Sequence, residues 1–150
     1  MSLASLTRPE LILPDLDAGD RAGVLRALAG AVAADGLVAD PEALYARLAE
    51  REELGSTAVG AGVAIPHCKL PRLPREVVAV AVSPQGVDFG AADGRPVRVF
   101  FLVVSPPGSP AEHLRVLAAI SRWVKADGNV GRLLTAPGRE AIYRLLEQEG

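Results

Sequence analysis

The chain has 150 residues, of which 49% are hydrophobic and 23% charged, a length and balance that suit one folded domain and exclude a disordered chain. Its 16 basic and 18 acidic residues leave a formal net charge of -2, which excludes the basic excess of a nucleic-acid-binding face or a polybasic membrane surface. Aromatics are only 4%, so the core is expected to be built from Leu, Val, Ile and Ala.

The single cysteine, Cys68, makes no intrachain disulfide and fits a reducing compartment. The longest apolar run, residues 99–104, is too short to cross a bilayer. Arg8 and Glu10 interrupt the beginning, so no signal peptide is read there. A cytoplasmic location without membrane insertion is the expectation.

In chain order, Leu11-Ile12-Leu13 is a short apolar segment ended by Pro14. Val24, Leu25, Leu28 and Val32 form a stripe of helical period over residues 20–34, with Gly36 as a stop. Asp40-Pro41-Glu42 reads as an N-cap with proline at the first helical position. That second helix should end near Glu53, before Gly55. Residues 55–70 hold Gly55, Gly60 and Gly62 and then Val63-Ala64-Ile65-Pro66-His67, read as a loop and a short strand ending at Pro66.

Residues 77–82 and, apart from Arg98, 97–104 are apolar runs that suit strands covered on both faces. Pro84-Gln85-Gly86 and Asp93-Gly94, between them, read as turns. Ser109-Pro110-Ala111-Glu112 has the pattern of a capping box opening a helix that Asp127-Gly128 stops. Helices near 129–135 and 138–148 complete an α/β layered domain over residues 1–150.

Two histidines stand at informative places. His67 follows a strand-like segment in a glycine-rich stretch, where reactive groups often sit. His113 lies in the first turn of the Ser109 helix, whose free N–H groups favour an anion and disfavour imidazolium. Each is equally readable as a surface or structural residue.

Arg51, near the end of the second helix, is either a solvated cation complementing the helix C-terminus or a phosphate clamp. Thr57 is a turn hydroxyl or a donor to a phosphoryl oxygen. Cys68 reads better as a small apolar filler than as a thiolate. Gly60-Ala61-Gly62 is only a fragment of a dinucleotide fingerprint, and no Walker A pattern occurs. His67, Cys68 and His113 make a poor metal set, so no metal and no cofactor are expected.

The segment from Arg51-Glu52-Glu53-Leu54-Gly55-Ser56-Thr57 through Ala64-Ile65-Pro66-His67 resembles the active-site signature of enzyme IIA domains. These belong to the fructose–mannitol class of the phosphoenolpyruvate-dependent sugar phosphotransferase system. Asp93-Gly94-Arg95-Pro96-Val97, Phe100-Phe101-Leu102 and His113-Leu114 continue the resemblance, in the expected order, over nearly the whole chain.

The resemblance implies a mixed β-sheet sandwiched between helices on both faces. It implies that His67 accepts a phosphoryl group from the histidine phosphocarrier protein, with His113 and Arg51 as its active-site companions and Thr57 and Ser56 near the phosphoryl group. Nε2 is the expected reacting atom, with Nδ1–H held by a backbone carbonyl. An apolar partner face is expected at Val59, Val63, Leu70 and Leu73. Two departures are Ala58, where the family commonly has glycine, and Cys68.

Two branches fit: a nitrogen-regulatory protein whose phosphorylation controls regulatory target proteins, favoured by the Leu54-Gly55-Ser56-Thr57 and Pro66-His67-Cys68-Lys69-Leu70 segments, and a sugar-transport component passing phosphate to a IIB component. An unphosphorylated interaction module and a metal-dependent hydrolase are the readings from other classes.

Overall fold

The two apolar runs form the centre of a mixed sheet. In the computed structural model, which describes residues 2–148, they are strands β5 (Val77–Val87) and β6 (Val97–Ser105), paired antiparallel. Met1, Glu149 and Gly150, at the ends of the expected domain, lie outside the described residues. Four short strands join them: β1 (Ile12–Leu13), β2 (Ala58–Gly60), β3 (Val63–Ala64) and β4 (His67–Lys69). The order is β1-β5-β6-β3-β2, and β4 also pairs with β6. Strands β1, β3 and β4 run parallel to their neighbours, and β2–β3 is antiparallel.

Alternation along the central strands divides the core in two. Val77, Ala79, Ala81, Phe100, Leu102 and Val104 face helices α1 (Arg21–Ala34) and α2 (Pro41–Glu53). Val78, Val80, Val82, Val99, Phe101 and Val103 face α3 (Pro110–Lys125), α4 (Asn129–Thr135) and α5 (Arg139–Glu147). Both faces of the central stretches are therefore dry, which is why these runs, apart from the exposed Arg98, are apolar rather than alternating with polar residues. The expected helix-covered mixed sheet is the fold observed. No helix among the described residues is long and apolar enough to cross a membrane.

The caps agree with the sequence where a side chain can reach. The Asp20 carboxylate accepts from the Gly23 N–H, and Asp40 from the Glu42 N–H, with Pro41 opening α2. Ser109 is the N-cap of α3, but its hydroxyl makes no capping bond. Glu112 pairs with Arg115 instead, so the expected capping box is not formed.

Two turn readings are also corrected. Pro84-Gln85-Gly86 lies inside β5, where the register against β6 shifts between Val82 and Val87. A bulge absorbs residues that cannot sit in a regular ladder. In residues 55–70, the expected loop and single strand are a β2–β3 hairpin followed by β4, so His67 begins a strand rather than a loop. The hairpin turn Gly60-Ala61-Gly62 has φ of +90°, +56° and +79°. Ala58 has no positive φ, so its side chain introduces no strain there.

Ala61 does carry strain, since a Cβ disfavours the left-handed region. We expect Ala61→Gly to stabilise the protein by about 0.5–1 kcal/mol, after the greater chain entropy of unfolded glycine is set against the relieved strain. The check is a higher urea midpoint at unchanged m-value; a lower midpoint contradicts the strain argument.

Candidate functional site

Strands β3 and β4 lie one after the other along the same edge of β6. Val63 and Ala64 pair with Val99 and Phe100, and His67 with Val103. Between them Pro66 has no N–H to give, but its carbonyl still accepts from the Val103 N–H at 2.9 Å. The Ile65 carbonyl accepts from Nδ1 of His67 at 2.8 Å. A carbonyl can only accept, so this bond places the proton of the neutral ring on Nδ1 and leaves the Nε2 lone pair free.

The same strand delivers the second imidazole. At its end Ser105 lies opposite Lys69. The chain then turns through Pro106-Pro107-Gly108 into α3, whose first turn carries His113. The Ser105 hydroxyl, fully buried, is 2.6 Å from Nδ1 of His113. The two rings are 5.5 Å apart between centroids and tilted by 55°. Each imidazole thus has its Nδ1 engaged and its Nε2 without a protein partner among the hydrogen bonds of the described residues.

Both rings hold a proton less readily than an ordinary histidine. For His67 burial is the chief cause and the Arg51 charge adds to it, against the Ile65 hydrogen bond and the Glu52 charge. For His113 the causes are burial, then His67 and Lys69. A half-buried and a buried imidazole, adjacent to each other and beside two cations, are therefore neutral near pH 7. The Cys68 thiol is pushed up to about 12, mainly by burial, and packs against the α1/α2 core.

Arg51 lies in the last turn of α2 and donates through Nη1 to the Gly55 carbonyl at 2.9 Å. That is the helix-terminus role, yet its charge also reaches His67.

The two hydroxyls expected near a phosphoryl group are otherwise engaged. Ser56 donates to the Phe89 carbonyl at 2.6 Å and accepts from the Ala58 N–H. Thr57 is buried, with its hydroxyl and its N–H both bonded to the buried carboxylate of Glu52. These bonds brace the loop after α2, and in this arrangement neither hydroxyl offers a proton to a ligand.

The expected partner face is largely corrected. Val63, Leu70 and Leu73 are 2%, 8% and 6% exposed, because strand alternation and the chain after β4 turn them into the core. Val59 is exposed at 51%, and Leu54 and Leu114, at 82% and 66%, are the large apolar side chains left in solvent. Leu54 follows the arginine helix and Leu114 follows His113. Sequence reasoning passed over them because an exposed leucine on an amphipathic helix looks like a core leucine. Ser105 and Glu52 were passed over as well: nothing in a strand end before Pro-Pro-Gly marks a partner for a residue eight positions on.

The fold and this pair of imidazoles define a known class. The phosphoenolpyruvate-dependent sugar phosphotransferase system, EIIA 2, family matches residues 5–149, and the chain belongs to it. It is 39% identical over 146 residues to the nitrogen regulatory protein of Bradyrhizobium diazoefficiens, covering 97% of this chain and 95% of that one. It is 30% identical, with the same coverage, to the PTS system fructose-specific EIIA component of Haloferax volcanii. Among solved structures it is similar to nitrogen regulatory protein IIA-Ntr from Neisseria meningitidis, with a TM-score of 0.88, 25% identity, and coverage of 95% and 97% of the two chains.

The depressed proton affinity of both rings sets a pH dependence. The unfolded chain takes up protons at the ordinary histidine value of about 6.5, while the folded rings resist until lower pH. Stability from this source is complete above that value and lost as pH falls through the folded values. We expect both ring titrations, followed by NMR, to have midpoints below about 6.5, and the acid-side loss of thermal stability to shrink in His113→Gln. Midpoints at or above the ordinary value contradict the burial argument.

Proposed function

We propose that the chain is a phosphocarrier that accepts a phosphoryl group on Nε2 of His67, in the nitrogen-regulatory branch of its family, with the histidine phosphocarrier protein as donor. The observation that carries this reading is the pair of facing imidazoles, each tied through Nδ1, so that one bare Nε2 and a second ring converge on the same space.

The Nε2 lone pair of His67 forms a bond to phosphorus as the donor's P–N bond breaks, its electron pair passing to the donor nitrogen. Nδ1 keeps its proton, so the His67 ring gains the positive charge that the donor ring loses. A neutral imidazole is a competent nucleophile near pH 7, and in-line transfer needs positioning and charge stabilisation more than further covalent chemistry. With the Ser105 hydroxyl donating to Nδ1 of His113, the Nε2–H of that ring donates to a phosphoryl oxygen. Arg51 and Lys69 supply positive charge at the rim. Leu54, Val59 and Leu114 form the apolar contact for a transient partner.

The regulatory branch is favoured by the 39% identity to a nitrogen regulatory protein along nearly the full chain. There, the added charge of about -1.5 to -2 on His67 is the signal that targets read. The second reading, a sugar-transport component passing phosphate to a IIB component, rests on the 30% identity to a fructose-specific EIIA component. A cytoplasmic location accompanies either reading, because donor and carrier meet there.

The test is incubation with phosphoenolpyruvate, enzyme I and the phosphocarrier protein, followed by intact-mass measurement. We expect one acid-labile phosphoryl group on the wild type, none on His67→Ala, and transfer slowed by about 100-fold in a folded His113→Ala variant, the usual cost of one lost transition-state donor. Label on His67→Ala moves the acceptor elsewhere. Leu114→Glu is expected to raise the carrier concentration needed for half-maximal rate without abolishing transfer; an unchanged concentration dependence removes Leu114 from the contact.

A further inference from the structure

A buried carboxylate lies behind the proposed nucleophile with no cation bonded to it among the described residues. Glu52, in the last turn of α2, is 5% exposed. Its two oxygens accept from one residue: Oε2 from the Thr57 N–H at 3.1 Å, and Oε1 from the Thr57 hydroxyl. The adjacent Arg51 turns instead to the Gly55 carbonyl. Burying a carboxylate without an ion-pair partner is costly, so its retention asks for a reason.

The hydrogen bonds supply one. Thr57, clamped by Glu52, uses its own carbonyl to accept from the Ile65 N–H at 3.0 Å. Ile65 uses its carbonyl to hold Nδ1–H of His67 at 2.8 Å. Two residues, Thr57 and Ile65, thus connect Glu52 to the imidazole proton. Its charge also acts on that ring through space, against that of Arg51.

We propose that Glu52 is a positioning residue for His67: through Thr57 and Ile65 it holds the ring with Nδ1–H inward and Nε2 outward, and its carboxylate is the counter-charge to the cation that forms on the ring when Nε2 takes the phosphoryl group. The proposal rests on His67 being the phosphoacceptor. It gives the carboxylate a different task from that of the rim cations. Arg51 and Lys69 attract the phosphoryl oxygens, and both disfavour positive charge on the imidazoles. Glu52 opposes that effect from the protein side, where water does not screen it. Phosphorylation leaves the ring with a proton on Nδ1 and a P–N bond on Nε2, so the charge it answers arises only as the reaction proceeds.

The charged and titratable groups around His67 are Arg51 and Glu52 from α2 and His113 from α3, with Lys69 two residues along β4. The test is therefore Glu52→Gln, which keeps the shape, removes the charge and turns one acceptor oxygen into a donor that the Thr57 hydroxyl can accept. The His67 ring is titrated by NMR in the unphosphorylated protein, and phosphoryl uptake from the phosphocarrier protein is timed separately. We expect the His67 midpoint to fall by about half a unit or more, and uptake to slow by about 3- to 10-fold, the kinetic equivalent of such a shift. Glu52→Asp, which restores the charge, should recover most of the midpoint.

If Glu52→Gln does not fold, Thr57→Val is read in its place. Removing one of the two donors that hold the carboxylate should move the midpoint the same way, by less. An unchanged midpoint in the folded variant overturns the inference, even with wild-type phosphorylation intact. A wild type that takes no phosphoryl group on His67 overturns the reading on which the inference rests, and the inference with it.

Discussion

The parallel pairing of β4 with β6 is the constraint on which the site depends. Strand β6 is buried on both faces, and one of its edges receives β3 and then β4 with only Ile65 and Pro66 between them. That register puts His67 beside Val103 and Lys69 beside Ser105, so both imidazoles are referred to the last three residues of one strand. A slip by one residue would exchange the faces of every side chain on β4. The apolar alternation of β6, with Phe101 and Val103 on one face and Phe100, Leu102 and Val104 on the other, makes such a slip costly.

The site is electrically uneven in a useful way. Its two rings are kept neutral by burial, while cations lie at the rim and the carboxylate lies behind. A neutral nucleophile costs little to desolvate, whereas an imidazolium in the same place would have to be discharged before it could attack. The N-terminus of α3 adds partial positive charge at His113. Under the proposed function, a site so arranged would take a doubly negative group without opposing charge at the point of entry.

The loop after α2 shows how hydroxyls that look like ligands become structural members. Ser56 and Thr57 spend their protons on Phe89 and Glu52, and by doing so define the strand that starts at Ala58. The surface around the site is completed by residues that the core did not claim. Leu54, Val59 and Leu114 stay in solvent, and under the proposed function such exposed apolar side chains would suit a brief encounter with a partner.

Much of the fold was legible in local patterns. Both ends of α2 were marked by Asp40-Pro41 and Gly55, and the two central strands by apolar runs without helical spacing. The candidate nucleophile was legible through the family resemblance carried by the Ala64-Ile65-Pro66-His67 segment, whereas the residues alone left His67 open to a surface or structural reading. Residues 55–70 were less so: short strands of two or three residues are held by their neighbours and carry little signal of their own. Pairings across the chain were not legible at all. That Ser105 meets His113, that Glu52 clamps Thr57 and through it Ile65, and that Val63, Leu70 and Leu73 turn inward while Leu54 and Leu114 do not, all follow from strand register and helix docking. The sequence by itself determined the main helices and the two long strands; only the tertiary structure decided what stands behind and beside His67, because hydrogen bonds and burial between distant segments exist only once the sheet is assembled.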